Sequence, residues 1–185
     1  MRKRNVVIIV LLIIAAVALY FSFKHDKNRE MHGKYLFKNL KFKDITEISV
    51  KNFVAKRFVL KKNNKGEWVT GGKERKCNKY KIAYLINILK DTDFGNIISD
   101  KKEKYENFNV DDKNSIKVII KTIKKTIPLW IGKFTPDGNG CYVRLEDGKV
   151  YIVTKNLTYE FDRKRSYFYL EQHGSKHDNS TKSDK

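Results

Sequence analysis

The side chains with the means for chemistry are few, and their spacing suits little of it. The four histidines are His25, His32, His173 and His177. Only the last two have a ligand-like spacing, which would place two imidazoles on one side of a helix. Gly174 and Ser175 lie between them and argue against a helix, so no metal site is expected. No histidine falls between residues 33 and 172 to serve a Ser or Cys nucleophile as general base. Asp111-Asp112 is a paired carboxylate, but Lys113 and Asn114 follow it, and leading a turn into a strand is its expected task. Asp137-x-Asn139 has the opening of a calcium loop without the closing Glu. Gly71-Gly72-Lys73 lacks phosphate-loop spacing. Neither the nucleophile-elbow pattern nor the zinc-protease pattern is present. The reading is a non-catalytic protein with no cofactor.

Two further groups stand out. Cys77 and Cys141 are the two cysteines. They could pair if the chain is exported, closing a loop worth roughly 4 kcal/mol; alternatively Cys141, among core-facing positions, is a buried thiol. Tyr142, Arg144 and Tyr151 lie on one expected hairpin, and read as sharing a face they form an aromatic–Arg patch suited to protein contact. Ordinary cross-strand packing would use the same residues.

The elements that must position these groups follow from hydrophobic periodicity. Residues 45–50 and 57–61 alternate as strands, and Asn63 to Gly66 turns the second back into Glu67–Thr70. Trp68 is expected to cover the core. Asn78 is placed to cap a helix over 79–90, whose Ile82, Leu85, Ile86 and Leu89 form one apolar stripe. Residues 94–99 read as a short strand or extended link, and 101–112 as a helical turn and loop. Four strands over 115–154 form a meander. Pro128 argues that its strand lies at an edge or is bulged, and Asp147-Gly148 is a type I′ turn signal. Residues 156–170 read as helical or irregular. The fold class is α+β with a mainly antiparallel sheet.

Residues 6–23 carry no charge. As a helix they would span about 27 Å, close to a bilayer core of about 30 Å. The basic segment 1–5 precedes them, and Tyr20, Phe21 and Phe23 end them as an aromatic belt would. Ala16-Val17-Ala18 is a weak cleavage pattern, but bulky residues continue beyond it. The layout predicts an uncleaved signal anchor at 6–23, a polar stalk at 24–34, an extracytoplasmic domain at 35–170 and a disordered polar tail at 171–185.

The chain of 185 residues has 40 Lys+Arg against 21 Asp+Glu, a net charge of +19. Such a domain is drawn to lipid headgroups, anionic envelope polymer and nucleic acid alike. Lys outnumbers Arg 32 to 8, whereas specific nucleic-acid readers lean on the Arg fork. No specific nucleic-acid partner is expected, and a solvated lysine surface explains much of the excess.

The order of elements resembles the bacterial family called domain of unknown function 4340, over about residues 40–159. The likeness is carried by Asp44 to Val50, Gly66-Glu67-Trp68, the stripe Ile82 to Leu89, Tyr105 with Phe108, Leu129 to Lys133, Tyr142-Val143-Arg144 and Val150 to Val153. It implies a membrane-attached extracytoplasmic α+β module and brings no catalytic residues. In larger relatives a similar domain accompanies the auxiliary subunit of an ABC transporter linked to gliding motility or envelope export. The expected function is therefore an accessory domain held in the bilayer by its N-terminal helix. Its expected partner is a membrane protein complex of the envelope, such as an ABC-type transporter. The alternative is charge-driven binding to an anionic envelope polymer or to the lipid surface.

Overall fold

The computed structural model describes residues 37–171 and, upstream of them, Ile13 alone. The basic segment, the stalk and the tail from residue 172 lie outside the described residues, as does the apolar run apart from Ile13. So do all four histidines. Among the described residues no helix is long and apolar enough to cross a membrane.

Among the described residues nine strands form one sheet: β1 (Ile45–Asn52), β2 (Lys56–Lys62), β3 (Trp68–Thr70), β4 (Arg75–Lys76), β5 (Phe94–Ser99), β6 (Ile116–Thr122), β7 (Thr126–Phe134), β8 (Cys141–Arg144) and β9 (Val150–Val153). Their order is β4-β3-β2-β1-β6-β7-β8-β9-β5. Every neighbouring pair is antiparallel. The α+β class holds. The expected meander is β6 to β9, and the first hairpin is β2 with β3. What sequence patterning did not join is the two halves, which meet where β1 pairs with β6, Ile48 opposite Ile120 and Val50 opposite Val118.

Helix α1 (Lys79–Lys90) follows its stripe: Ile82, Leu85, Ile86 and Leu89 are all buried. Burying each contributes about 1.5–3 kcal/mol. The Asn78 side chain accepts from the Tyr80 N–H at 2.9 Å, as expected of an N-cap. The helix carries the chain from one edge strand, β4, to the other, β5. A short helix α2 (Leu157–Phe161) follows β9, burying Leu157 and Phe161. Buried Asn52 pins its C-terminal end, donating to the Phe161 and Arg163 carbonyls at 2.8 and 2.9 Å. The core lies on one face of the sheet, with Val50, Phe58, Leu60, Val118, Leu129 and Val143 meeting the helices.

Two local expectations change. Strand β7 is interior and not an edge, but its pairing with β8 shifts register between Ile131 and Phe134, an irregularity in keeping with the bulged alternative, and β8 pairs only with its Trp130, Ile131 and Phe134. Pro128 therefore stands on the half of β7 that has one paired neighbour, which spares an inner ladder the missing N–H. The turn at Asp147-Gly148 is not type I′, which needs positive φ at both central residues. Only Gly148 is left-handed, at φ 76°. Its N–H donates to the Leu145 carbonyl, and Leu145 N–H to that of Lys149. Glu146 makes the loop one residue longer, so a type I turn with a glycine bulge replaces the tight form. Asn63 to Glu67 repeats this pattern, with Gly66 at φ 75°.

Candidate functional site

The face of the sheet turned away from the helices is where the polar residues of the strands converge. Cross-strand register sets Arg57 beside Lys51, Lys51 beside Lys117, Lys117 beside Trp130 and Trp130 beside Arg144. Five strands thus contribute one row, at about 4.8 Å per step. Like charges directly opposite each other destabilise a sheet. Two rows away on the same face the signs alternate: Lys61, Glu47 and Lys121, with Lys121 to Glu47 at 2.9 Å and Lys61 to Glu74 at 3.2 Å. The row at Lys51 places three cations side by side.

Asp112 is the carboxylate set against that row. It arrives on the segment of 3-10 turns, Lys102–Lys104 and Glu106–Phe108, that joins β5 to β6. Its Oδ1 accepts from the Trp130 indole N–H at 2.7 Å and from Lys117 at 3.1 Å, and its carbonyl accepts from Lys51 at 2.9 Å. The Trp130 and Lys117 hydrogen bonds hold its carboxyl below the usual carboxylate range. Asp111 makes the turn itself, accepting from the N–H groups of Lys113 and Asn114. So the paired carboxylates do lead into a strand, and one also docks the segment.

The Arg144 Cζ sits over Trp130, 3.6 Å from the ring centroid, and 4.7 Å from that of Tyr105. Its Nε donates to the Val110 carbonyl at 2.8 Å. Burial lowers its pKa somewhat. Tyr142 packs on Phe108 at 4.8 Å between centroids, and the Tyr105 hydroxyl donates to the Gly148 carbonyl at 2.6 Å. Gly132 lies under the segment so closely that a Cβ would meet the Phe108 carbonyl oxygen at 2.1 Å.

Tyr142, Arg144 and Tyr151 therefore do not share a face. Tyr151 stands opposite Val143, on the core side, whereas Tyr142 and Arg144 point the other way. Adjacent positions of a strand alternate, and the hairpin register puts an odd residue of β9 beside an odd one of β8. Tyr151 is buried, donates to Asp147 at 2.8 Å, and its pKa is pushed up by burial and by that bond. Tyr142 and Arg144 are occupied in clamping residues 105–110. Trp130, Lys117 and Lys51 are the members that sequence reasoning does not place in a site, and only their shared outward parity could have signalled them; Asp112 reads from sequence as a turn residue alone.

The two cysteines are free thiols, both buried, and burial pushes each up to about 11. Asp137 closes its own loop, accepting from the Thr135 hydroxyl and the Asn139 N–H. Among the described residues no three His, Cys, Asp or Glu are placed to hold a metal ion.

At the end of the sheet where β1 turns into β2, Phe53 and Val54 are exposed, by 60% and 48%. Their position is fixed, because Asp162 Oδ1 accepts from both backbone N–H groups at 3.1 Å. Phe134 and Tyr159 are exposed at the same end. Lys51 and Arg57 flank the turn, so an apolar tip adjoins the cationic row. The segment that enters the fold at Phe37 lies at the other end, beside the β6–β7 turn.

No curated protein and no solved structure matches the chain. Of the residues that carry the family likeness, Tyr105, Phe108, Trp130, Gly132, Tyr142 and Arg144 meet in one clamp on the outer face, whereas the stripe Ile82 to Leu89 lies in the core. The family model described as Domain of unknown function (DUF4340) matches residues 68–169, more than half of the chain, and the chain belongs to that family.

Proposed function

We propose that the protein is a non-catalytic, single-pass membrane protein whose α+β domain lies outside the cytoplasm and makes protein contacts in the bacterial envelope. An ABC-type transporter complex is the partner that the family likeness suggests. The uncharged run at 6–23 after a basic start supports the anchor and its orientation. The observation that carries the contact is the rigid Phe53–Val54 turn beside Lys51, Arg57 and Lys117. A fixed apolar tip costs little ordering entropy on association, and the adjoining cations select an acidic partner surface. The test is retention of partners by the tagged full chain from native membranes in mild detergent, at low and high salt. A stoichiometric partner should survive high salt and be lost on Phe53→Asp with Val54→Asp. Retention unaffected by that pair of changes refutes the assigned surface.

The cationic row supports a second reading, binding of an anionic envelope polymer. Retention should then fall steeply with salt, survive Phe53→Asp and fail on Lys51→Glu with Lys117→Glu.

A further inference from the structure

The end of the sheet where the chain enters is built differently from the end that bears Phe53. Strands β6 and β7 join there through Ile123-Lys124-Lys125. Ile123 is 67% exposed, and both lysines are exposed. The turn is nonetheless ordered. Thr122 Oγ1 accepts from the N–H groups of Lys124 and Lys125 at 3.2 and 2.9 Å, and donates to the Lys125 carbonyl. The Ile123 N–H donates to the Asp44 carbonyl at 2.9 Å, tying the turn to the segment by which the chain enters. That segment buries Phe37 and Leu40 and leaves Lys38, Lys41 and Lys43 exposed. Among the described residues the acidic groups at this end include Asp44, half-buried, Glu47, paired with Lys121 at 2.9 Å, Glu67 on the β2–β3 turn, paired with Lys76 at 2.8 Å, and Glu146 and Asp147 on the β8–β9 turn; Asp147 accepts from the Tyr151 hydroxyl.

An isoleucine held outward between lysines suits the boundary of a bilayer. The apolar side chain enters the headgroup layer while the ammonium groups stay at phosphate level. The chain enters the fold at this end, so it is the end tethered to the membrane under the anchor reading, on which the inference rests. Thirteen residues, 24–36, separate the apolar run from Phe37, a span of about 45 Å at most. We propose that the Ile123–Lys125 turn, with Lys38, Lys41 and Lys43, seats on the anionic lipid surface of the membrane that the N-terminal run enters. The domain then stands with its β6–β7 turn on the bilayer and its Phe53 turn facing outward.

The test uses the full chain reconstituted in vesicles of phosphatidylcholine, with or without phosphatidylglycerol, made with acyl-chain-brominated lipid. Trp emission of Ile123→Trp and Phe53→Trp is read against the wild-type chain. In anionic vesicles the added emission of Ile123→Trp should shift to the blue and fall about twofold through bromine quenching. That loss should disappear with Lys124→Glu and Lys125→Glu, and Phe53→Trp should be indifferent to bromine. Flotation after an alkaline wash reports the anchor separately. A chain that does not float refutes the anchor and this seating together. A chain that floats while Ile123→Trp remains unquenched overturns the seating alone, as does quenching confined to Phe53→Trp. Equal quenching in neutral and anionic vesicles overturns the role given to the lysines.

Discussion

Gly132→Ala tests the clamp at its tightest point. A Cβ there would stand 2.1 Å from the Phe108 carbonyl oxygen and 2.7 Å from Val110 Cγ1, and real Cβ atoms are essentially never closer than 3.0 Å to a neighbour. The backbone can respond in two ways. If β7 and residues 108–110 move apart by small shifts, overpacking costs about 1–3 kcal/mol. If the segment lifts away, the fully buried Val110 loses about 1.5–3 kcal/mol and the Phe108–Tyr142 contact about 0.5–1.5 kcal/mol. The cheaper response sets the result, so destabilisation should be about 1–3 kcal/mol. Denaturant unfolding of the full chain in mild detergent, followed by Trp fluorescence, should show a lower midpoint with an unchanged slope. Gly72→Ala is the control. No atom lies within 4 Å of its Cβ position, and it should stay within about 0.5 kcal/mol of the wild type. If Gly132→Ala also stays within that margin, residues 105–110 do not lie on β7 as described.

The other predictions are smaller. Asn78→Ala removes the cap of α1 and should cost about 1 kcal/mol in the same unfolding experiment; no change would mean that the first turn has another acceptor. With both thiols raised to about 11, roughly one in a thousand is thiolate at pH 8. A disulfide-exchange reagent should titrate two thiols quickly only after unfolding, and rapid native labelling would contradict the burial. Asp112 is held below its unfolded pKa, so its contribution is present above about pH 4 and is lost as pH falls through the lower folded value. Asp112→Asn should reduce the acid sensitivity of stability below pH 4. Unchanged sensitivity would deny the Trp130 and Lys117 bonds.

The sequence made local structure legible wherever period and punctuation agreed. The stripe from Ile82 to Leu89, its Asn78 cap and the alternation of Ile116, Val118 and Ile120 all describe what their residues do. The two-residue strand β4 carries no period to read, and neither does the pairing of β1 with β6, which joins residues about seventy positions apart. The candidate surface was harder still. Tyr142 and Arg144 look like an exposed patch because nothing local says that residues 105–110 fold back over them. Tyr151 was misplaced because a hairpin's register depends on loop length, and Glu146 adds one residue. Phe53-Val54, an apolar pair between two strands, could have been read as an exposed turn from its position alone.

The path of α1 from one edge of the sheet to the other has a consequence for how the chain acquires its structure. The pairings of β1 with β2, β2 with β3 and β3 with β4 all lie within residues 45–76. Strand β5 follows α1 directly, yet among the described residues its partner in the sheet is β9, so Phe94 must wait for Val153. During synthesis, or during passage across a membrane, about fifty residues emerge before that edge can close. Closing long loops is slow, so folding of this domain should be limited by the arrival of β9. Until then Phe94 and Ile97 remain uncovered, and a half-formed sheet with two unpaired margins is the species most at risk of association with another copy. Truncation between Ser99 and Val150 would leave the protein in that state.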